Sequence, residues 1–289
     1  MKRKEFILVA VILLIAFAAI TIVKYRHHPG SGGPLTGAVM PDSVRTFWAH
    51  YNRATEYRLQ GKTDSSIIDY QEALKLNPDH EDALYYIGIM YMKADNFEKA
   101  QQTLGKLTEL NPQSERAFIQ LGNLYFCGNH TNYFHPQKSK LYFERAYELN
   151  KETLSPNLRL GEIALFQNRT NDALAIFNKL SMMDQKNAEI YFMIGYLNWK
   201  SGKVQDAIKD LEHTFELGLT TISNNEMVGS AIPSKNEIVG KNLGCDLFMD
   251  WLTGNLSVPG KYDIRVKTPE VFMKFDQYLI MIRGKLNHD

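Results

Sequence analysis

The residues best suited to metal chemistry lie in one short stretch of the chain, from Cys127 to His135. Cys127, His130 and His135 carry side chains that bind zinc and similar ions. A structural zinc site needs a fourth ligand and a regular spacing, and this stretch has neither. We therefore interpret it as an ordinary surface loop and predict no metal and no cofactor.

Motifs for catalysis are missing from the sequence as well. It contains no glycine-rich phosphate loop, no His-Glu-x-x-His motif and no Gly-x-Ser-x-Gly nucleophile turn. An enzymatic site within residues 222–289 is an alternative, but that segment shows no cluster of ionisable residues. We predict that the protein is not an enzyme and has no small-molecule substrate.

The charge balance limits the partners. With 33 basic and 32 acidic residues, the 289-residue chain has a formal net charge of +1. Nucleic-acid binders usually carry a basic face or tail, so we predict no nucleic-acid partner. Two cysteines, Cys127 and Cys245, exclude a disulfide framework but allow a single bridge.

A small residue recurs at a nearly constant spacing and decides the fold class. The positions are Ala54, Gly88, Gly122, Gly161 and Gly195, separated by 34, 34, 39 and 34 residues. A 34-residue period with a small eighth residue resembles the tetratricopeptide repeat (TPR) family, from about residue 47 to 221. The resemblance implies an all-α solenoid of about five helix-turn-helix repeats, which start near residues 47, 81, 115, 154 and 188.

The second helix of each repeat, helix B, carries its own small residue where it should cross the first, helix A. A large residue follows four places later, as in the pairs Ala100 and Leu104, Ala173 and Phe177, and Ala207 and Leu211. Small residues let two helices approach closely, and large ones fill the surrounding space. The first repeat departs from the pattern at Arg53 and Ser66, and the third carries a five-residue insertion within 127–138.

Helix A of such repeats forms the concave face of the solenoid, mainly through its second, fifth, ninth and twelfth residues. At these places the chain carries mostly aromatic and aliphatic residues: Trp48, Tyr51, Tyr85, Ile89, Met92, Ile119, Phe126, Leu158, Leu165, Phe192, Tyr196 and Trp199. We predict that all of these except Trp48 form a partner-binding groove for an apolar helix or an extended protein segment. The alternative is internal packing, in which the solenoid curls tightly or the C-terminal helices cover the face.

Family members that clamp an acidic peptide use basic and amide residues at these places. Here only Arg116, Asn123 and Arg159 are of that kind, and Glu162 accompanies them. The resemblance therefore does not favour an acidic-tail clamp.

The N-terminus is predicted to cross a membrane. An apolar run from Phe6 to Val23 follows three basic residues and would extend about 27 Å as a helix. We assign residues 1–28 to an uncleaved signal anchor, and a signal peptide cleaved after Ala18 is the competing interpretation. Because more basic residues precede the run than follow it, the repeats should face away from the cytoplasm.

Two further regions flank the repeats at 47–221. Residues 29–46 are rich in proline and glycine and are predicted to be a linker. Residues 222–289 are predicted to be a mostly helical C-terminal cap, and its last helix, from Pro269 to Arg283, is an expected occupant of the groove. Since Cys127 and Cys245 lie more than two repeats apart, we expect them to be too far apart to form a disulfide.

The functional prediction combines these elements. The architecture is similar to that of bacterial envelope proteins that join one N-terminal span to periplasmic repeats and act in assembly or chaperoning. The chain is therefore predicted to be a scaffold at the bacterial inner membrane, with its repeats in the periplasm. A receptor on a eukaryotic organelle membrane, facing the cytosol, is the alternative.

Overall fold

A computed structural model describes residues 41–127 and 131–224, together with residues 272–273, 275–277, 279–281 and 283–284 near the C-terminus. Within these ranges the chain forms α-helices and one 3-10 turn, Thr131–Tyr133, and no strand. The helices are α1 Asp42–Leu59, α2 Thr63–Leu76, α3 Glu81–Lys93, α4 Phe97–Leu110, α5 Glu115–Phe126, α6 Pro136–Leu149, α7 Leu154–Phe166, α8 Thr170–Met183, α9 Ala188–Lys200 and α10 Val204–Asn224.

Consecutive helices form five pairs, with the odd-numbered helix of each pair as helix A and the even-numbered one as helix B. Each glycine of the period lies where its pair crosses. A Cβ atom added to Gly88 would lie 2.8 Å from Leu104, and one added to Gly161 would lie 2.7 Å from Phe177. Both distances are too short for van der Waals contact, so these crossings require glycine. The predicted all-α repeat architecture is confirmed.

Polar residues close the turns between repeats. Helix α4 begins after Asn96, whose side chain accepts a hydrogen bond from the Lys99 backbone, and it ends at Leu110, two residues before Pro112. The Asn111 side chain then donates to the carboxylate of Glu81, the first residue of the same repeat, at 2.8 Å. The Asn96 contact satisfies a backbone group at the start of α4, and the contact between Asn111 and Glu81 joins the end of this helix to the start of α3.

The departures in the first repeat are compensated by polar contacts. Ser66 is fully buried at the crossing, where its hydroxyl donates to the backbone oxygen of Ala54 at 2.9 Å. Arg53 pairs with the buried carboxylate of Asp69, which His50 also contacts at 2.9 Å. The hydrogen bond from Arg53, together with its charge, lowers the pKa of Asp69 despite the opposing effect of burial.

The insertion in the third repeat lies between α5 and α6, as predicted, and part of it is core. Phe134 is buried, and its ring lies 5.7 Å from that of Phe126. Tyr133 contacts Phe97 of the preceding repeat, with ring centroids 5.2 Å apart. The insertion therefore braces neighbouring helices through its aromatic residues.

The expectation that Cys127 is unbridged was wrong, because Cys127 is disulfide-bonded. The only other cysteine of the chain is Cys245, which lies outside the described residues. The expectation counted distance along the repeats, whereas a segment that follows a solenoid need not continue along its axis.

Other predicted features lie at or beyond the edges of the described residues. The anchor at 6–23 lies outside them, and none of the described helices is long and apolar enough to cross a membrane. Helix α1 begins at Asp42, inside the predicted linker 29–46, and α10 continues to Asn224, three residues past the predicted end of the repeats.

Candidate functional site

The predicted groove residues fall into two groups that differ in exposure. We define the open half as the partly exposed residues on the A helices of the first three repeats: Trp48, Tyr51, Tyr85, Ile89, Met92 and Ile119. The filled half comprises the residues that are mainly buried: Phe126, Leu158, Leu165, Phe192, Tyr196 and Trp199, of which Trp199 alone is partly exposed. The two halves lie on successive A helices of one solenoid.

The open half starts with an aromatic cluster on α1. Trp48, Tyr51, Phe47 and His80 lie with neighbouring ring centroids 4.7 to 6.0 Å apart, and Trp48 is 42% exposed. Burial of the Tyr51 hydroxyl, together with the nearby charge of Asp82, raises its pKa to about 12. Tyr51 therefore remains a neutral hydroxyl at physiological pH.

Two arginines add charge to the open half without leaving it strongly basic. Arg116 forms an ion pair with Asp82, and its guanidinium lies 4.6 Å from the centroid of the Tyr85 ring. Arg58 lies over the Tyr86 ring at 4.2 Å, and its buried Nε has no hydrogen-bond partner among the described residues. This surface offers aromatic contact area and donor groups to a segment laid across it.

The part of the filled half on α7 and α9 is covered by the C-terminal segment, which we define as the described helical residues between 272 and 284. Phe272, Phe275 and Leu279 are buried in the same core cluster as the groove residues of these two helices. Phe126 on α5 belongs to a separate cluster and packs against Phe134 of the insertion. The Phe275 ring lies edge-on to Tyr196, with centroids 4.4 Å apart, and 5.5 Å from Phe192. The expectation that the last helix occupies the groove is confirmed for these residues.

Polar contacts fix the position of this segment on the face. Asp276 accepts hydrogen bonds from the Tyr196 hydroxyl at 2.8 Å and from the Lys200 ammonium group at 2.5 Å. At the far end, Arg283 donates to the backbone oxygens of Leu165 and Phe166, both at 2.7 Å. These oxygens lie in the last turn of α7, where carbonyl groups lack helical partners.

Burial favours the neutral form of Asp276, but the hydrogen bonds from Lys200 and Tyr196 outweigh that effect and lower its pKa. The same contacts act on Tyr196 in the opposite direction. Burial first, and then the hydrogen bond to Asp276, raise the pKa of the Tyr196 hydroxyl above its ordinary value. At neutral pH the site therefore holds an ionised carboxylate between an ammonium group and a hydroxyl.

The residues considered for an acidic-tail clamp are paired with acidic residues of the chain itself. Arg159 forms an ion pair with the buried Glu162 at 2.6 Å and lies 3.8 Å from Glu189. Arg116 is paired with Asp82. These arginines are therefore already neutralised by carboxylates of the face.

Two of the three possible metal ligands of the insertion lie within the described residues. The Cys127 sulfur is in a disulfide, so it is not a thiolate, and His130 lies outside the described residues. His135 is 3.1 Å from the backbone oxygen of Asn132. Across the described ranges, no group of three or more histidine, cysteine, aspartate or glutamate residues is arranged to hold a metal ion.

Burial changes the expected consequence of mutating the groove. Phe126 and Tyr196 are two of the predicted groove residues. They are only 1% and 0% exposed and belong to core clusters, so replacing them with serine should destabilise the fold. Sequence reasoning also missed the contacts of Asp276 and Arg283, although both residues lie on the last helix that it predicted.

Family models agree with the geometry. Models described as tetratricopeptide repeat match residues 47–80, 82–114 and 158–212. Over these residues the chain consists of tetratricopeptide repeats. The first match begins at Phe47, the residue from which the sequence period was counted, and the third spans most of the last two repeats.

Solved structures of other proteins share this fold. A crystal structure of MamA superposes with a TM-score of 0.52 at 22% identity and covers 59% of this chain and 96% of its own. A MamA RS-1 ArsTM double mutant gives a TM-score of 0.55 at 14% identity, covering 64% of this chain and 99% of its own. At such identities the likeness shows the fold and nothing about partners.

Relatives with curated names are much longer proteins. The anaphase-promoting complex subunit CDC16 of Saccharomyces cerevisiae is 24% identical over 202 residues, covering 68% of this chain and 23% of its own. The anaphase-promoting complex subunit 3 of Schizosaccharomyces pombe is 21% identical over 190 residues, 62% of this chain and 28% of its own. This chain spans about a quarter of the length of these relatives.

Proposed function

We propose that this TPR protein is a non-enzymatic scaffold that binds a segment of another protein on its concave face, with the open half as the first point of contact. TPR proteins are generally scaffolds that bind proteins or peptides. The names of the two relatives, both subunits of a multiprotein complex, agree with that role.

The observation that carries the proposal is that equivalent residues of two repeats differ in burial: one is covered by the C-terminal segment and the other is partly exposed. Tyr85 and Phe192 occupy the same place in their repeats, and Phe192 lies under Phe272 and Phe275 of the C-terminal segment. Tyr85 and its neighbours Ile89 and Met92 remain partly exposed. An apolar face whose other half already holds a helix is suited to hold a second segment.

Site-specific photo-crosslinking in intact cells tests this. A photoreactive residue at position 85 should yield a discrete crosslinked product with a partner protein, and adding Ile89→Ser to that chain should weaken the product severalfold. The matched control carries the photoreactive residue at position 182, because Met182 is 77% exposed on helix B of the fourth repeat. If positions 85 and 182 gave the same crosslinked products, the concave face would bind a partner no better than the exposed surface of helix B.

Membrane attachment forms a second part of the proposal. We infer that residues 6–23 anchor the chain in a bacterial inner membrane and that the repeats lie in the periplasm, where the scaffold serves envelope assembly or chaperoning. The length of the apolar run supports the anchor. The disulfide of Cys127 supports a periplasmic location of the repeats, because disulfides persist in oxidising compartments and are rare in the cytosol.

Protease added to cells with a permeabilised outer membrane tests the topology. The repeats should be digested while the inner membrane is intact. Protection until the inner membrane is lysed would instead favour a chain that faces the cytosol. Fractionation after an alkaline wash checks the anchor, and release of the full-length protein into the soluble fraction would contradict it.

A further inference from the structure

We propose that the filled half is a second binding site, and that its partner is an amphipathic helix with the same pattern as the chain's own C-terminal segment. Counting from Phe272, the pattern has aromatic residues at places 1 and 4, a carboxylate at place 5, leucine at place 8 and arginine at place 12. The partner displaces the chain's own helix. This proposal rests on the proposed function, because it assumes that the face takes up protein segments.

The bound segment defines the chemistry that the site accepts. Phe272, Phe275 and Leu279, on one side of the helix, are 0 to 1% exposed against α7 and α9. Met273 and Ile280, on the other side, are 52% and 58% exposed. A helix with one apolar stripe at this spacing is the form in which proteins recognise helices in grooves.

Charge complementarity further restricts which helices the filled half can bind. Lys200 and Tyr196 present two donors to one carboxylate, so a helix without an acidic residue at place 5 leaves the ammonium group partly buried and unpaired. The backbone oxygens of Leu165 and Phe166 present two acceptors, which Arg283 satisfies together. A partner therefore needs an acidic residue and a basic residue seven places apart on the apolar side.

The repeats do not need this helix in order to form. In the first two repeats the same places of helix A, at Tyr51, Tyr85 and Ile89, are partly exposed, and none of the described helices after the repeats covers them. Their crossings at Ala54 and Gly88 are nevertheless close-packed. The C-terminal segment is also separated from α10 by the 47 residues between Asn224 and Phe272, so it can leave without breaking a helix pair.

A labelled peptide with the sequence of residues 270–286 tests the proposal on the full-length protein. The wild-type chain should bind it weakly, because its own helix competes at a high effective concentration. Asp276→Lys in the chain places a cation against Lys200 and should weaken the internal helix, so the peptide should bind this variant at least about tenfold more tightly. Fluorescence anisotropy measures the affinity.

Reversing the charges at positions 276 and 200 tests whether their ion pair holds the internal helix in place. The double variant Asp276→Lys with Lys200→Glu restores the internal pair and also places a carboxylate against Asp276 of the peptide, so peptide affinity should fall to the wild-type level or below it. The matched control is Gln277→Lys, which makes the same helix more positive at an exposed position and should leave the affinity unchanged.

Three results would overturn the proposal. The first is that the Asp276→Lys chain binds the peptide no better than wild type. The second is that its repeats unfold together with the helix in circular dichroism. The third is that light scattering shows dimers of the wild-type chain that exchange this helix, which would make a second copy the occupant. Crosslinking at position 85 reports on the open half alone, so failure of either proposal is recognised separately.

Discussion

The open and filled halves of the concave face are built from the same repeat but end in different environments. Tyr85 and Phe192 occupy the fifth place of their repeats, and Ile89 and Tyr196 the ninth. Tyr85 and Ile89 are partly exposed, whereas Phe192 and Tyr196 are fully buried. The place within a repeat therefore fixes the direction of a side chain, and its burial depends on what else lies over that face.

The largest expected difference is in the loss of stability when the fifth residue of helix A is replaced by alanine in each half. Phe192→Ala removes a ring that is 0% exposed and touches the C-terminal segment, and it should lower the free energy of unfolding by about 3–5 kcal/mol. Tyr85→Ala should lower it by about 1 kcal/mol, because that ring is only partly buried. Urea denaturation measures both values, and equal losses would remove the distinction between the halves.

The disulfide should matter mainly for the filled half. Cys127 lies directly after Phe126 at the end of α5, and reduction should lower the free energy of unfolding by about 2–4 kcal/mol. Hydrogen–deuterium exchange should increase most in residues 272–284. Cys245→Ser should reproduce the effect of Cys127→Ser, and a bonded dimer on non-reducing gels would instead show that the bridge joins two chains.

Alanine substitutions at the helix crossings should destabilise the repeats of both halves to a similar extent. Alanine at Gly88 or Gly161 would place a Cβ atom less than 3 Å from a buried side chain, so each change should cost about 1–3 kcal/mol. Gly105→Ala is the control, since no atom lies within 4 Å of its added Cβ and alanine favours a helix by about 0.5–1 kcal/mol. A loss confined to one half would show that the two are not built equivalently.

The smallest expected effect is the release of the C-terminal segment from the filled half at acidic pH. The pKa of Asp276 is lowered in the folded chain, so its contribution is complete above the ordinary carboxyl pKa of about 4 and is lost as the pH falls below it. Lys200, Tyr196 and Arg283 are the other charged or titratable groups that face this carboxylate. Trp199 fluorescence in a chain with Trp48→Phe and Trp251→Phe should report the release.

Asp276→Asn should abolish this acid transition, because the side chain no longer titrates. A transition of unchanged midpoint in the Asn variant would assign the effect to another carboxylate. Asp69 also has a lowered pKa and lies in the first repeat, so acid unfolding there is a separate event that hydrogen exchange of α1 and α2 distinguishes.

Much of the solenoid follows from local sequence. A glycine at the crossing, a large residue on helix B and a proline after it each restrict what a short segment can do, as at Gly88, Leu104 and Pro112. Repetition makes these restrictions consistent along the chain. The helix pairs, the turns between them and the place of the third-repeat insertion were predictable for that reason.

The sequence by itself also determined which residues point to the concave face, because direction on a helix follows its period of 3.6 residues. Only the tertiary structure decided which of them are covered. The contacts of Asp276 with Tyr196 and of Arg283 with Phe166 join residues 80 and 117 places apart. No repeat pattern encodes such pairs, because they form when a segment outside the repeats returns to a surface that the repeats have already built.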